Sequence, residues 1–306
     1  MTAATTAKPL LTAPARYRVI DGALYARHTS PYAFDIRVHE LGHGHTEATV
    51  QPRYGWGEVD VLSPGALADH AMASENIFVA SAWTKAPPPS GFELLDKLAR
   101  NRDRSTRRAR TKVRRLCKNR GLSVMLTLTY RENMTDRQRM GRDFDVFVKR
   151  LRRVVPDFQY VCVFEKQKRG AYHAHIAVPR VLSHYLHKGS LMRSYDFLRS
   201  VWRAVVGVDN GNVDVSRNKR IARSPSRLAA YIAKYIGKDL DSAGEGDSYR
   251  ASGRDLPKPV VIRILSADDQ TAFNAAWDLL WPEIQRGEFH SAFLDGGGSF
   301  ISISAA

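Results

Sequence analysis

A predicted β-hairpin in the middle of the chain narrows the possible folds more than any other feature. Its strands are Tyr160–Glu165 and Ala171–Val178, and the charged segment Lys166–Gly170 between them, which ends in glycine, is typical of a turn. Successive side chains of a strand alternate between the two faces, so His173 and His175 project from the same face. Two imidazoles in this arrangement can bind one metal ion, which makes the second strand half of a possible metal site.

The segments on either side of the hairpin predict an α+β fold with a central antiparallel sheet. Leu122–Tyr130 is apolar enough for a buried strand, and Thr135–Val155 is an amphipathic helix that Pro156 stops. We therefore expect the histidine strand to be central in the sheet, with helices over one face. The other predicted elements are helices at Ser190–Val206, Arg227–Asp239 and Ala267–Gln285, strands at Gly211–Val215 and Lys258–Leu265, and a flexible tail at Gly296–Gly298.

This pattern divides the chain into four segments. We expect a poorly defined N-terminal region of unknown role at 1–90, a basic helical segment at 91–120, the sheet domain at 121–265, and a C-terminal helix with a flexible tail at 266–306. The first boundary follows the proline-rich linker Ala86–Gly91, since three consecutive prolines continue neither a helix nor a central strand.

The net charge of +16 at pH 7 indicates a polyanionic partner. Contacts from Lys and Arg to phosphates supply most of the non-specific affinity of proteins for nucleic acids. No stretch approaches the roughly 20 apolar residues of a membrane helix, and Met1–Arg16 lacks the order of a secretory signal, so we expect a cytoplasmic protein. Cys117 and Cys162 give neither a disulfide framework nor a zinc spacing.

The positive charge is concentrated in one predicted helix. Eleven Lys or Arg residues and a single acid, Asp103, lie between Arg100 and Arg120, and they contribute ten of the sixteen net charges. Most charge runs are solvated helix faces, but a run this dense repels itself unless a polyanion lies against it. We expect this helix to contact DNA. The candidate residues are Arg104, Arg107, Arg108, Arg110, Lys112, Arg114, Arg115 and Lys118.

The segment His39–His43 matches the zinc-protease pattern, in which two histidines one helical turn apart bind the metal and the glutamate activates water. The pattern requires a helix. Phe34–Val38 instead predicts a strand, Gly42 and Gly44 weaken any helix here, and the residues that the longer form of the motif adds are absent. We therefore interpret the segment as a histidine-rich turn and not as a zinc metalloprotease site.

The helix predicted at Arg227–Asp239 carries a Tyr-x-x-Lys unit twice. A spacing of four residues puts Tyr231 and Tyr235 on one helix face and Lys234 and Lys238 on a neighbouring one. Tyrosines at this spacing are often core residues, and lysines are often solvated. The alternative is chemical, because a phenol beside a metal-bound phosphate is a nucleophile, and a lysine neutralises charge on the phosphate during in-line attack.

Three motifs in this order resemble the HUH endonucleases, and in particular the rolling-circle replication initiators of phages and plasmids. Leu126–Tyr130 resembles the first motif, Tyr172–Ile176 the second and Tyr231–Lys238 the third. The tyrosines follow the histidines, as in replication initiators, whereas conjugative relaxases have the opposite order. The doubled Tyr-x-x-Lys unit is similar to the two-tyrosine subclass, and the resemblance covers about residues 101–259.

The resemblance implies a chemistry and the residues that perform it. His173, His175 and, as a third ligand from the preceding strand, Glu165 would hold Mg²⁺ or Mn²⁺ against the scissile phosphate. Tyr231 or Tyr235 would attack that phosphate, which leaves a 5′-phosphotyrosine and a free 3′-OH, and the reverse reaction would join ends. Nitrogen and carboxylate ligands suit Mn²⁺ or Zn²⁺ better than Mg²⁺, so the residues leave the metal open.

Two functions fit these residues. The first is a site-specific nickase and strand transferase that initiates rolling-circle replication on single-stranded DNA or an origin hairpin. The sequence has no Gly-x-x-x-x-Gly-Lys-Ser/Thr motif, so a host helicase and polymerase would be its partners. The second is a DNA-binding replication or copy-control protein of the same fold that does not nick. Tyr130 and Tyr172 are candidates to stack on single-stranded bases, although both can equally pack in the sheet.

Overall fold

Two antiparallel β-sheets organise the structure. The computed structural model describes residues 17–20, 23–58, 91–216, 225–236, 249–266, 268–294 and 297–305. We call the sheet that carries His173 and His175 the histidine sheet, and the sheet built from N-terminal and C-terminal strands the terminal sheet. With the helices they confirm the predicted α+β class. The helices of the described residues are α1 (Gly91–Asn119), α2 (Arg137–Leu151), α3 (Ser194–Val206), α4 (Pro225–Ala233) and α5 (Asp269–Ile284).

The histidine sheet is antiparallel throughout. Its strands are β4 (Val124–Tyr130), β5 (Val161–Lys166), β6 (Tyr172–Val178), β9 (Gly211–Ser216) and β10 (Arg250–Ala251). They lie in the order β10-β5-β6-β4-β9, so the histidine strand β6 is central, as predicted. β5 and β6 form the predicted hairpin, and Gly170 in its turn has a φ of +88°, a conformation that glycine adopts without strain.

Helices cover both faces of the histidine sheet. On one face α2 and α3 bury Phe144, Phe147 and Trp202. On the other face α1 and α4 bury Val113 and Ile232. The strands present apolar residues to this second face as well, namely Met125, Val161, Val163 and Ala177. The expectation of helices over one face is therefore wrong, because an apolar sheet face has to be covered.

The terminal sheet joins strands from both ends of the chain. Its strands are β1 (Tyr17–Ile20), β2 (Ala23–Gly42), β3 (His45–Glu58), β11 (Val260–Leu265), β12 (Gly287–Phe293) and β13 (Ser299–Ala305). They run in the order β1-β2-β3-β13-β12, and β11 pairs with β2. α5 packs on this sheet and buries Ala276 and Leu280 against Ile301. The boundary expected after residue 265 therefore separates β11 from the helix and strands with which it forms one unit.

The expectation of a flexible C-terminal tail is also wrong for the described residues. β13 lies between β3 and β12, and Ile301 and Ile303 are buried. The alternation of isoleucine and serine along β13 has the period of a strand with one buried face. Gly298 has a φ of +88°, and a Cβ on it would clash with the carbonyl oxygen of Val50, so only glycine fits this turn. Gly296 lies outside the described residues.

A second boundary differs at the start of α3. The helix predicted from Ser190 begins at Ser194, because residues 190–193 form the strand β8 (Ser190–Arg193), which pairs with β7 (His184–His187). Lys188 and Gly189 make the turn of this small hairpin, both with positive φ. Four residues expected in the helix are thus used to close a hairpin beside it.

The zinc-protease pattern at His39–His43 lies in a strand and a turn. His39 belongs to β2, and His43 follows it in the turn to β3 with a φ of +50°. Gly42 and Gly44 have φ values of +70° and +71°, which end any regular structure there. The interpretation as a histidine-rich turn is confirmed, since the two histidines are not one helical turn apart.

A buried ion cluster joins α1 to the terminal sheet. The carboxylate of Glu47 on β3 is fully buried and accepts hydrogen bonds of 2.9–3.1 Å from Arg114, Arg115 and Lys118 of α1. Lys118 Nζ also donates to Ser302 Oγ of β13 at 2.9 Å. Burial alone would raise the pKa of Glu47, but the hydrogen bond and charge of Arg114, with Lys118 and Arg115, lower it to about 2. Glu47 therefore stays ionised and fixes α1 against the terminal sheet.

We expect Glu47→Ala to lower the free energy of unfolding by about 3–5 kcal/mol, because it leaves three cations without their buried partner. Glu40→Ala removes an exposed carboxylate of the neighbouring strand and is the matched control, with an expected cost below about 0.5 kcal/mol. Denaturant unfolding of both variants measures the difference. Equal costs would contradict a structural role for the cluster.

The same cluster predicts a pH dependence of stability. The pKa of Glu47 is lowered in the folded protein from 4.5 to about 2, so its contribution is complete above about pH 4.5 and is lost as the pH falls through 2. Glu47→Gln lacks this contribution at every pH. The Tm of the wild type should therefore approach that of Glu47→Gln as the pH is lowered through this window, as calorimetry can show.

Candidate active site

One end of the sheet face under α1 and α4 is polar. Along β6 this face runs from Ala177, which is buried in the core, to His175 and then His173. On β5 it reaches Glu165, which pairs in register with His173. On β4 it reaches Thr127, which pairs with His175. Strand alternation and antiparallel pairing therefore gather two imidazoles, a carboxylate and a hydroxyl beyond the apolar core.

Three contacts hold His175. Its Nε2 lies 2.8 Å from Glu165 Oε2, and its Nδ1 lies 3.3 Å from Thr127 Oγ1. Its ring stacks on Tyr235, with centroids 4.3 Å apart and 16° between the planes. A neutral imidazole has one donor and one acceptor nitrogen, so Nε2 donates to the carboxylate and Nδ1 accepts from the threonine hydroxyl. The side chain is 6% exposed, and its position is set on every side.

His173 is held more loosely. Its Nδ1 lies 3.1 Å from Gln167 Nε2, and its ring centroid is 6.5 Å from that of His175. Burial lowers the pKa of His173, and the nearby charges of His175 and Arg169 lower it further. The imidazole is therefore neutral at neutral pH, which is the form that binds metal ions.

The tyrosine helix α4 ends earlier than the predicted Arg227–Asp239. Its last helical residue is Ala233, and residues 234–236 form a turn in which Tyr235 N and Ile236 N bond to carbonyls three residues back, at 3.0 and 3.2 Å. This tightened turn is a common helix ending. Arg110 Nε of α1 donates to Ile236 O at 2.9 Å and so satisfies a carbonyl that has no partner within the helix.

The two tyrosines meet at the polar end of the sheet. The hydroxyl of Tyr235 donates a hydrogen bond to that of Tyr231, and the ring centroids are 5.1 Å apart. Tyr235 is buried, whereas Tyr231 is half-buried. Burial raises the pKa of Tyr235, and the hydrogen bond to Tyr231 and the charge of Glu165 raise it further. Tyr235 therefore keeps its proton at neutral pH, and Tyr231 is the more accessible of the pair.

The two lysines predicted beside the tyrosines are placed differently. Lys234 lies in the turn after α4 and is exposed, with its backbone N bonded to Ala230 O at 3.2 Å. Lys238 lies outside the described residues. Their placement on one helix face with a role at the phosphate therefore stays a prediction.

The proposed metal ligands fit a divalent ion by their chemistry. Two imidazoles and a carboxylate suit Mn²⁺ or Zn²⁺, and the carboxylate suits Mg²⁺ as well. Within the described ranges, however, no group of three His, Cys, Asp or Glu side chains is arranged to hold a metal ion. Glu165 and His175 are hydrogen bonded to each other, and His173 is turned toward Gln167. An ion bound here would replace the bond between Glu165 and His175.

The eight cations predicted to contact DNA divide into three groups. Arg114, Arg115 and Lys118 surround Glu47, and Arg110 caps α4. The charge of α1 is therefore partly neutralised within the protein. The third group projects from α1 without an ion pair to any acid among the residues that the structure describes: Arg104, Arg107, Arg108 and Lys112.

The sequence analysis missed two residues of the site. Thr127 contacts His175, and Gln167 contacts His173. The signal was present, since Thr127 lies in the middle of a predicted strand and Gln167 lies two residues after Glu165, on the same face. The assignment also needed the strand pairing, because alternation alone does not show which histidine lies opposite which residue.

A comparison with protein families supports a role in DNA replication. Residues 123–240 match a family model described as replication-associated protein ORF2. The matched segment contains β4, β5, β6 and β9 of the histidine sheet together with α4, and so it includes both histidines, Glu165 and both tyrosines. α1 and the terminal sheet lie outside it. No curated protein and no solved structure matches the chain.

The family match also supports DNA as a binding partner. In the described part of the chain, no helix combines the length and the apolar composition needed to cross a membrane.

The two aromatic residues considered for base stacking lie in the core. Tyr172 and Tyr130 are 2% and 5% exposed and face α2 and α3, on the side of the sheet opposite to the histidines. Tyr130 Oη donates to Asp143 Oδ2 at 2.8 Å, and its ring packs edge-on against Trp202. Of the two alternatives left open by the sequence, packing in the sheet is the one the structure has.

We expect Tyr130→Leu to lower the free energy of unfolding by about 2–4 kcal/mol, because it removes a packed ring and a hydrogen bond. Its affinity for a 20-nucleotide oligo-dT should stay within about twofold of the wild type, since the ring cannot reach a base. Tyr195→Leu changes an exposed tyrosine and is the control for the unfolding measurement. A folded Tyr130→Leu protein with tenfold weaker oligo-dT binding would contradict the assignment.

Proposed function

We propose that this protein nicks and rejoins single-stranded DNA through a tyrosine nucleophile and thereby initiates rolling-circle replication. The observation that carries the proposal is the contact between Tyr235 and His175, which puts a hydrogen-bonded tyrosine pair over two histidines and a carboxylate. This cluster lies within the segment that matches a replication-associated family. The proposal includes a host helicase and polymerase as partners and the cytoplasm of a bacterial host as the place of action.

The chemistry is a transesterification. A tyrosine hydroxyl loses its proton and attacks the phosphorus of the scissile phosphodiester, and the bond to the 3′ oxygen breaks. The products are a 5′-phosphotyrosine and a free 3′-OH, so no bond energy is lost to water. Attack of a 3′-OH on the phosphotyrosine reverses the step and joins ends.

His173, His175 and Glu165 are the residues that would hold a divalent ion, Mg²⁺ or Mn²⁺. When bound, such an ion supplies positive charge that polarises the phosphate and stabilises its charge during attack. In the described structure Glu165 instead accepts a hydrogen bond from His175 and so keeps the ring oriented under Tyr235. Gln167 orients His173 in the same way, because its amide fixes which ring nitrogen faces away.

The geometry favours Tyr231 as the first nucleophile. Its hydroxyl accepts the hydrogen bond from Tyr235, so its own proton is available to another group. It is also the more exposed of the two, whereas burial raises the pKa of Tyr235 and keeps that residue protonated. Tyr235 would then act second, on the regenerated origin, while the first end is still attached to Tyr231.

A DNA-binding replication or copy-control protein without nicking activity is the second candidate. The observation that favours it is that the histidines and Glu165 contact other side chains and are not arranged around an ion in the described residues. In that case the cluster would be a polar part of the fold. The two candidates differ in whether a covalent bond to DNA forms.

The covalent bond is the first test. Single-stranded 60-mers tiled over the DNA that flanks the gene are incubated with the purified protein and Mn²⁺, and adducts are detected on denaturing gels. We expect an adduct on at least one strand. Tyr231→Phe should slow its formation by at least about 100-fold, Tyr235→Phe by less, and the double variant should form none.

Tyr195→Phe, a change in an exposed tyrosine, is the control and should leave the rate unchanged. The absence of any adduct on the tiled strands, or an adduct that persists in the double variant, would contradict tyrosine nicking. A larger loss in Tyr235→Phe would leave nicking in place and reverse the order of the two tyrosines.

The metal site is tested by binding and by cleavage together. We expect His173→Ala and Glu165→Gln to weaken Mn²⁺ binding at least about tenfold, because each removes one donor, as electron paramagnetic resonance can measure. Both variants should lose cleavage, and both should bind oligo-dT within about threefold of the wild type. Addition of EDTA to the wild type should abolish cleavage in the same way.

His184→Ala removes an exposed histidine of the β7–β8 hairpin and is the matched control. If His173→Ala binds Mn²⁺ as tightly as this control, the histidines are not metal ligands. If DNA binding collapses together with cleavage, the role of the histidines is structural.

A further inference from the structure

A groove of about 530 Å³ lies between α1 and the segment 256–259, with part of β2 at its base. β2 contributes His39, whose Nδ1 is buried without a partner in the described residues. The segment 256–259 leads into β11, which pairs with β2, so the wall opposite α1 is anchored to the terminal sheet. The groove therefore has a helix on one side and an anchored extended segment on the other.

The lining of the groove is strongly positive. Five cations line it and no carboxylate does: Arg107, Arg108, Lys112, Arg115 and Lys258. Arg115 is shared with the buried Glu47, and the other four have no acidic partner among the described residues. Cations gathered on two facing walls repel each other unless an anion lies between them, so the groove fits a polyanion.

The lining also indicates which form of DNA fits. No Phe, Tyr or Trp lines the groove, so it offers no surface on which unpaired bases can stack. Guanidinium and ammonium groups contact phosphate oxygens, which duplex DNA presents continuously along its outside. Contacts of this kind position a duplex without reading its sequence.

The groove and the tyrosine pair lie on opposite sides of α1. Val113 and Cys117 face α4 and the histidine sheet, while Arg108 and Lys112 face the groove. At 3.6 residues per turn these two sets project in nearly opposite directions. A helix with its side chains is about 10–12 Å across, which corresponds to about three base-pair steps along DNA.

We propose that this groove binds the phosphate backbone of duplex DNA that flanks the nick site. The inference rests on the proposed nicking function and adds to it a second, separate DNA-binding surface. The tyrosine pair would act on the single strand, and the groove would hold the adjoining duplex at least about three base pairs away. Arg107, Arg108, Lys112 and Lys258 are the residues that contact phosphates.

The test compares two variants of the full chain that have the same net charge. Fluorescence anisotropy measures the affinity of each for a 20-base-pair duplex of random sequence and for 20-nucleotide oligo-dT, over a series of salt concentrations. The groove variant carries glutamine at Arg107, Arg108, Lys112 and Lys258. The control variant carries glutamine at four exposed cations outside the groove: Arg131, Lys149, Arg153 and Arg193.

We expect the groove variant to bind the duplex at least about tenfold more weakly than the control variant. The slope of log affinity against log salt should fall by about three to four, since about 0.9 is lost for each phosphate contact removed. Oligo-dT affinity should fall by less than about threefold. Equal duplex affinities of the two variants, or an equal loss for oligo-dT and duplex, would overturn the proposal.

Lys258→Glu alone is a second variant, which changes only one exposed side chain and spares α1. It should weaken duplex binding about threefold to tenfold, and an unchanged affinity would count against the groove. Failure of the nicking proposal gives a different result. In that case no adduct forms on any strand, while the groove variant still loses duplex binding relative to the control variant.

Discussion

The buried carboxylate of Glu47 is the interaction on which the rest of the arrangement depends. It is fully buried and draws three cations of α1 onto the terminal sheet, which fixes the position of that helix. α1 in turn packs on α4 and donates from Arg110 to the end of that helix at Ile236. The turn that this bond stabilises carries Tyr235 and places its ring on His175. A contact outside the family-matched segment thus supports the geometry of the site.

The site lies where one face of the histidine sheet changes from apolar to polar. Ala177 is in the core, and two residues along the same strand His175 is still buried but has polar partners at both ring nitrogens. Burial of an imidazole and a phenol is tolerated because each finds a hydrogen bond and they stack on each other. In this state the polar groups are satisfied within the protein. A phosphate or an ion that enters must therefore compete with these internal hydrogen bonds.

The basic helix shows why net charge alone could not describe a surface. Its eleven cations predict a polyanion-binding helix, and Arg107, Arg108 and Lys112 do line a positive groove. Arg114 and Lys118, from the same run, instead neutralise a buried acid that is more than sixty residues away in sequence. Composition could not separate the two groups, because the distinction depends on which side of the helix faces the terminal sheet.

The sequence by itself determined the histidine hairpin, the central position of its strand and the α+β class, because strand alternation and turn chemistry are local properties. It also placed His173, His175, Glu165, Tyr231 and Tyr235 in one candidate site. Only the tertiary structure decided what those residues contact, and that Thr127 and Gln167 join them, because strand register and helix packing are set by distant segments. For the same reason, strands from both ends of the chain were not predicted to pair in one sheet.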